Sequence, residues 1–233
     1  MREGNKSIVG QRIPLRASPL TIACRMQKKR RAVFLDRDGT LNVDTGYAHT
    51  PEQWHWLPGV PEALARFRAQ GWLLLVVSNQ SGIARGFFDE AALHSLQAWV
   101  NTQLAPLNAE VDAWYHCPHL PEISGPCACR KPRAGMLVRA AREWDVDLQA
   151  SWMIGDRPRD IMAGHAAGCR NVLLQAADAP HNDCALPAST CILPGLPEAC
   201  EYILGLERNA IENDSRSGGR ACPASLGERT PAP

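Results

Sequence analysis

Short apolar runs alternate with helical periodicity along the middle of this chain, and that alternation leaves few folds open. Residues 32–35 form a short apolar run, read as a buried strand. Residues 72–77 form a continuous one that ends at Ser78, the pattern of a parallel strand covered on both faces. Further strands are expected over 111–115, 151–154, 171–174 and 191–193. Helices are expected over 60–70, 91–104, 135–144, 159–167 and 197–206, with Asp89 as an N-cap and Gly71 and Gly168 as stops. Strands alternating with helices predict an α/β fold, a parallel sheet with right-handed crossovers flanked by helices. Ligands of such sheets bind at the carboxyl ends of the strands.

At 233 residues the chain has room for one good-sized domain rather than two. Lys and Arg total 25 against 24 Asp and Glu, a net charge of +1, so neither nucleic acid nor a membrane surface is expected as the main partner. No apolar run approaches the roughly 20 residues that span a bilayer. Residues 1–30 are basic, with Glu3 as their single acid, and read as a disordered extension in which Met26 could be the true start. Residues 208–233 are polar and aperiodic and read as a disordered tail, which leaves 31–207 as the folded domain. Nine cysteines without a convincing signal peptide fit the reducing cytosol, and a monomer is the default.

The polar residues that follow directly on the apolar runs bear on function. Asp36 and Asp38 stand two apart after the first run, so both carboxylates can reach one site. One can act as nucleophile or metal ligand, the other as general acid and base. Gly39 lets the backbone turn tightly beside them. Asp156 follows the run at 151–154, with Asp160 four residues on, and Asp groups on different strand ends suit a hard cation such as Mg²⁺. Ser78, Asn79, Gln80 and Ser81 bring hydroxyl and amide groups, and Arg130 and Lys131 bring fixed cations for an anionic oxygen. Each has a plainer reading: an Asx turn at Asp38, a helix N-cap at Asp156, a solvated basic pair at Arg130 and Lys131.

In order, Phe34-Leu35-Asp36-Arg37-Asp38-Gly39-Thr40-Leu41-Asn42, Leu75-Val76-Val77-Ser78-Asn79-Gln80, Arg130-Lys131-Pro132 and Ile154-Gly155-Asp156-Arg157 resemble the successive motifs of the haloacid dehalogenase superfamily of phosphotransferases. The resemblance spans about residues 33–175 and implies a Rossmann-like sheet. It implies Asp36 as the nucleophile that forms an aspartyl-phosphate, with Asp38 protonating the leaving alcohol and then activating water. Asp36, Asp156 and the main-chain carbonyl of Asp38 would hold Mg²⁺, and Ser78 and Lys131 would bind the transferring phosphoryl group. The physical logic agrees, because a carboxylate approaches a phosphate dianion only when cations offset the repulsion. Only short stretches separate the motifs, so no large cap domain is expected.

Cys117-Pro118-His119 and Cys127-Ala128-Cys129 lie in one loop, and their four soft or borderline ligands suit tetrahedral Zn²⁺ in a closed, structural site, with His116 competing with His119. Arg130 and Lys131 follow immediately, so a zinc-stabilised loop would hold those cations over the active site. This loop is similar to that of the histidinol-phosphate and heptose-bisphosphate phosphatase branch. The stretches 42–49 and 81–86 are similar to the heptose-bisphosphate side of it. The resemblance then implies a Mg²⁺-dependent phosphomonoesterase that takes the 7-phosphate from a heptose 1,7-bisphosphate, with histidinol phosphate as the runner-up substrate. Substrate contacts are implied from Asp44, Thr45, Gly46 and Tyr47, from Ser78, Asn79, Gln80 and Ser81, and from Arg130, Lys131 and Arg157. A reading of another class is a non-catalytic zinc-organised binding module that retains the sheet; the intact set of Asp36, Asp38, Lys131 and Asp156 speaks against it.

Overall fold

The computed structural model describes residues 29–175 and 186–217, with side chains as far as Asn209. The basic stretch 1–28, the end of the chain beyond 217, and Cys24, Cys184 and Cys222 lie outside the described residues. The strands are β1 (Ala32–Leu35), β2 (Leu73–Asn79), β3 (Ala113–Cys117), β4 (Trp152–Gly155), β5 (Arg170–Leu174) and β6 (Thr190–Leu193). They form one six-stranded sheet in the order β3-β2-β1-β4-β5-β6, and every pairing is parallel. The helices are α1 (Val60–Ala69), α2 (Glu90–Leu104), the short α3 (Pro121–Ser124), α4 (Gly135–Trp144), α5 (Pro158–Ala167) and α6 (Leu196–Ser217). No helix among the described residues is long and apolar enough to cross a membrane.

The central strands are buried and apolar through β1, the first five residues of β2 and β4, because both sheet faces are covered there. Their side chains alternate between two cores. Val33, Leu35, Leu74 and Val76 point to the face covered by Leu64 and Phe67 of α1, Leu96 of α2 and Ile203 of α6. Ala32, Phe34, Leu75 and Val77 point to the other, covered by Met136, Leu137 and Ala140 of α4 and Ala163 of α5. Each fully buried Leu, Val or Phe contributes about 1.5–3 kcal/mol, so these short strands are held chiefly by helix packing. Asp89 caps α2 by accepting from the Ala92 N–H at 2.8 Å, and Gly168 closes α5 in the left-handed region.

Most boundaries fall within a residue of the sequence expectation, and three elements differ by more. β2 runs on through Ser78 and Asn79, because β3 continues to supply backbone partners at His116 and Cys117. β3 runs from Ala113 to Cys117 rather than from Val111 to Tyr115, so its last residue is Cys117 itself. α6 continues well past Leu206, to Ser217. The chain leaves β1 toward β2 on one side, while β4 pairs on the other, so the switch point of the sheet lies between β1 and β4. Asp36 and Asp156 follow those two strands.

Candidate active site

Asp36 leaves the carboxyl end of β1 and is nearly fully buried. Its main-chain N–H still bonds to the Ile154 carbonyl of β4 at 3.0 Å, which fixes the first residue of the loop to the switch point. Its carboxylate accepts from the Arg37 N–H at 2.7 Å and lies 2.8 Å from Lys131 Nζ. Lys131 is buried as well: its ammonium donates to the Val77 carbonyl at 2.7 Å and lies 2.7 Å from Asp160 Oδ1. Burial alone would push the Lys131 ammonium down, but Asp36 and Asp160 hold it above the usual lysine range. Burial pushes the Asp36 carboxyl up, against the pull of Lys131. Asn79 clamps the Lys131 main chain from both sides, donating to its carbonyl at 3.1 Å and accepting from its N–H at 3.0 Å.

Asp38 lies beyond this pair, ringed by donors. Arg37 Nε approaches its oxygens at 3.1 and 3.0 Å, Asn42 Nδ2 donates at 3.0 Å and Gln80 Nε2 at 3.3 Å. Gln80 also donates to the Ser78 hydroxyl at 2.7 Å. Gly39 has φ +81, and a Cβ there would collide with the Asp156 carboxylate, so this turn needs glycine twice over.

The arrangement fits a divalent cation. Carboxylate oxygens of Asp36, Asp156 and Asp160 lie within 4.8 Å of one another, and Asp156 Oδ1 is buried with no hydrogen-bond partner. Three carboxylates face the buried Lys131 ammonium and the half-exposed Arg157 at the rim, an excess of negative charge that a hard cation would offset. Burial, then the charges of Asp36 and Asp160, push the Asp156 carboxyl up to about 7. Arg157 lies over the rim, with Nε 2.9 Å from Asp156 and a guanidinium nitrogen 3.7 Å from Asp44.

Asp44, Thr45, Gly46 and Tyr47 form an exposed loop beside the site. It leans on the segment after β2: Tyr47 meets the Phe87 ring edge-on at 4.8 Å, and His49 stacks on Phe88 at 4.9 Å. Gly82 is pinned between Phe88 and Tyr47, where a Cβ would collide with both rings. Trp54 and Trp56 pack edge-to-face, and Trp54 is buried in the core.

On the other side of Lys131, Cys117, His119, Cys127 and Cys129 converge, with their sulfurs 3.2–3.5 Å apart and His119 Nδ1 within 3.6 Å of two of them. The competitor His116 is turned away to Glu90. Arg130 donates to the His119 carbonyl at 3.0 Å and Arg133 to the Cys127 carbonyl at 2.5 Å, so this loop carries its arginines directly.

Against known proteins, residues 128–199 match the HAD-hydrolase-like family model. The chain is 39% identical over 182 residues to the D-glycero-beta-D-manno-heptose-1,7-bisphosphate 7-phosphatase of Pasteurella multocida, covering 76% of this chain and 99% of the relative. This chain belongs to the heptose-bisphosphate phosphatase family. The Escherichia coli K12 member is 39% identical over 183 residues, which cover 76% of this chain and 96% of the relative. Among solved structures, the D,D-heptose 1,7-bisphosphate phosphatase of B. bronchiseptica complexed with magnesium and phosphate superposes with a TM-score of 0.68 at 37% identity, over 75% of this chain and 98% of that one.

Sequence reading of this heptose-bisphosphate phosphatase family member missed three features. Asp160 is the buried partner of Lys131; it was visible only as a carboxylate near Asp156, although its place three residues after Arg157, whose N–H it accepts at 3.0 Å, is a capping position. Arg37 and Asn42 hold Asp38, and Phe87 and Phe88 wall the loop at Tyr47. The Asn79 side chain, expected to contact substrate, is committed to the Lys131 main chain.

Proposed function

We propose that this chain hydrolyses D-glycero-β-D-manno-heptose 1,7-bisphosphate at the 7-phosphate. The observation that carries the reading is Asp36, buried at the switch point of the sheet and 2.8 Å from a buried Lys131, in a chain that aligns with heptose-bisphosphate phosphatases along nearly their whole length. The choice of the β anomer is supported by the names of the relatives.

An Asp36 oxygen attacks the phosphorus as the bond to the sugar oxygen breaks, and protonated Asp38 gives its proton to that oxygen. Asp38 is then a carboxylate among three donors, a good place to leave a negative charge. It takes the proton of a water that attacks the aspartyl-phosphate. The bond between phosphorus and Asp36 breaks and inorganic phosphate leaves. Lys131 and Ser78 bind the phosphoryl oxygens throughout. Mg²⁺, held by Asp36, Asp156 and the Asp38 carbonyl, would offset phosphate charge as the carboxylate approaches. Arg130 supplies the second anion site that a bisphosphate needs, and Asp44 to Tyr47, with Ser81 and Arg157, meet the sugar hydroxyls. The Cys117, His119, Cys127 and Cys129 set would hold a structural Zn²⁺, which would fix the loop that carries Arg130. The product, a heptose 1-phosphate, would feed the cytoplasmic synthesis of a nucleotide-activated heptose for a surface polysaccharide.

The test follows each phosphate by phosphorus NMR. Wild-type protein should release the 7-phosphate and keep the 1-phosphate, EDTA should stop it, and Asp36→Asn should fall by at least about 10⁴-fold with an unchanged circular dichroism spectrum. Wild-type turnover by Asp36→Asn would overturn the assignment. Binding without turnover by the wild type would return the chain to the class of zinc-organised binding modules.

A further inference from the structure

A third group of side chains of metal-ligating type lies at the β3 edge of the sheet, beside the Cys117 set, since one cavity is lined by Glu90, His94 and His116 and also by His119 and Cys129. Glu90 opens α2, and His94 stands one turn later on the same face. His116 is on β3, one residue before Cys117, so the pleat turns it to the opposite side from that cysteine. Glu90 Oε2 lies 2.5 Å from His116 Nε2 and 4.0 Å from His94 Nε2. The two imidazoles meet edge-to-face with centroids 5.9 Å apart, and one ligand atom from each of the three residues lies within 4.8 Å of the others. A hydrogen-bonded Glu–His pair accounts for Glu90 and His116, and His94 adds a second imidazole that converges on the same carboxylate from one turn along α2.

Two imidazoles and one carboxylate make a borderline donor set, suited to Zn²⁺ and its first-row neighbours rather than to Mg²⁺. Three protein ligands leave a fourth position for water, unlike the closed set at Cys117. Side-chain exposure of 63% at His94 and 48% at Glu90 gives the ion a direct route in and out. We propose that Glu90, His94 and His116 form an exchangeable transition-metal site, of the Zn²⁺ class, that clamps the first turn of α2 to the edge strand β3. The clamp has a consequence for the substrate side. Asp89, the N-cap of α2, follows Phe88 directly, and Phe87 and Phe88 wall the loop at Tyr47. Tying down the start of α2 therefore stiffens the segment that packs on the loop at Tyr47, the loop assigned to the sugar under the proposed function.

The experiment uses protein dialysed to retain only tightly bound metal, titrated with Zn²⁺ against a chromophoric chelator. The wild type should take up a further, weaker equivalent and melt at a higher temperature once it is bound. His94→Ala and Glu90→Gln should each weaken that equivalent by at least about tenfold and abolish the melting shift, while tightly bound zinc stays unchanged. Both positions are exposed, so neither substitution threatens the fold. Absence of a further equivalent, or one that both variants bind as tightly as the wild type, overturns the proposal.

Discussion

Lys131 decides the electrostatics of the site at the scale of single residues. A buried ammonium between two carboxylates stays charged, and it leaves Asp156 as the acid that pays for the crowding. Burial and the neighbouring carboxylates push the Asp156 carboxyl up to about 7 in the fold from its ordinary 3.8, so its protonated form is favoured on folding. The metal-free fold therefore loses stability as pH rises from about 4 toward 7, and an ion that binds the deprotonated form restores it. The Mg²⁺-induced rise in melting temperature should thus be larger at pH 8 than at pH 6, which scanning calorimetry at the two pH values can check; a shift of equal size at both would count against the role of Asp156. Asp36 and Asp156 were legible because each follows directly on an apolar run, and Lys131 because it sits in the distinctive stretch after the Cys-rich loop. The partnership of Lys131 with Asp160 was not, because it depends on the approach of two loops that are distant in the chain.

At the scale of elements, the strand ends act as a jig. β2 carries Ser78 and Asn79 to its last positions, where Asn79 grips the Lys131 main chain and the Val77 carbonyl takes the Lys131 ammonium. Asn79→Ala removes the grip without touching the reacting atoms. It should lower kcat by about a hundredfold with little change in KM, since a misplaced cation harms the transition state more than binding. Steady-state kinetics decides this, and a variant with wild-type kcat would show that the loop needs no clamp. Long periodic segments such as α2 and the run of β2 were readable from their patterns. The short α3 and the true end of β2 were not, because a few residues carry too little periodicity and strand ends are set by the neighbouring strand.

Across the whole molecule, the sheet brings the nucleophile loop, the β4 loop and the Cys-rich loop to the carboxyl ends of its strands without an inserted cap among the described residues. Alternation of strands and helices foretold a parallel sheet, but not the order β3-β2-β1-β4-β5-β6, because strand order is settled by packing between elements far apart in the chain. Under the proposed function the Cys-rich loop takes the place of a cap, with the Arg130 side chain bonded to the His119 carbonyl of that loop. Cys127→Ser should therefore lower tightly bound zinc below about one equivalent, lower the melting temperature and raise KM for a bisphosphate more than for a monophosphate. Metal analysis, calorimetry and kinetics on the same preparation test this, and unchanged stability at reduced zinc would exclude a structural metal. The most direct test of the central claim is kcat/KM measured side by side on the β and α anomers of D-glycero-D-manno-heptose 1,7-bisphosphate, histidinol phosphate and fructose 1,6-bisphosphate. The β anomer should lead histidinol phosphate and fructose 1,6-bisphosphate by at least about tenfold, and a preference for histidinol phosphate over both heptose anomers would contradict the account.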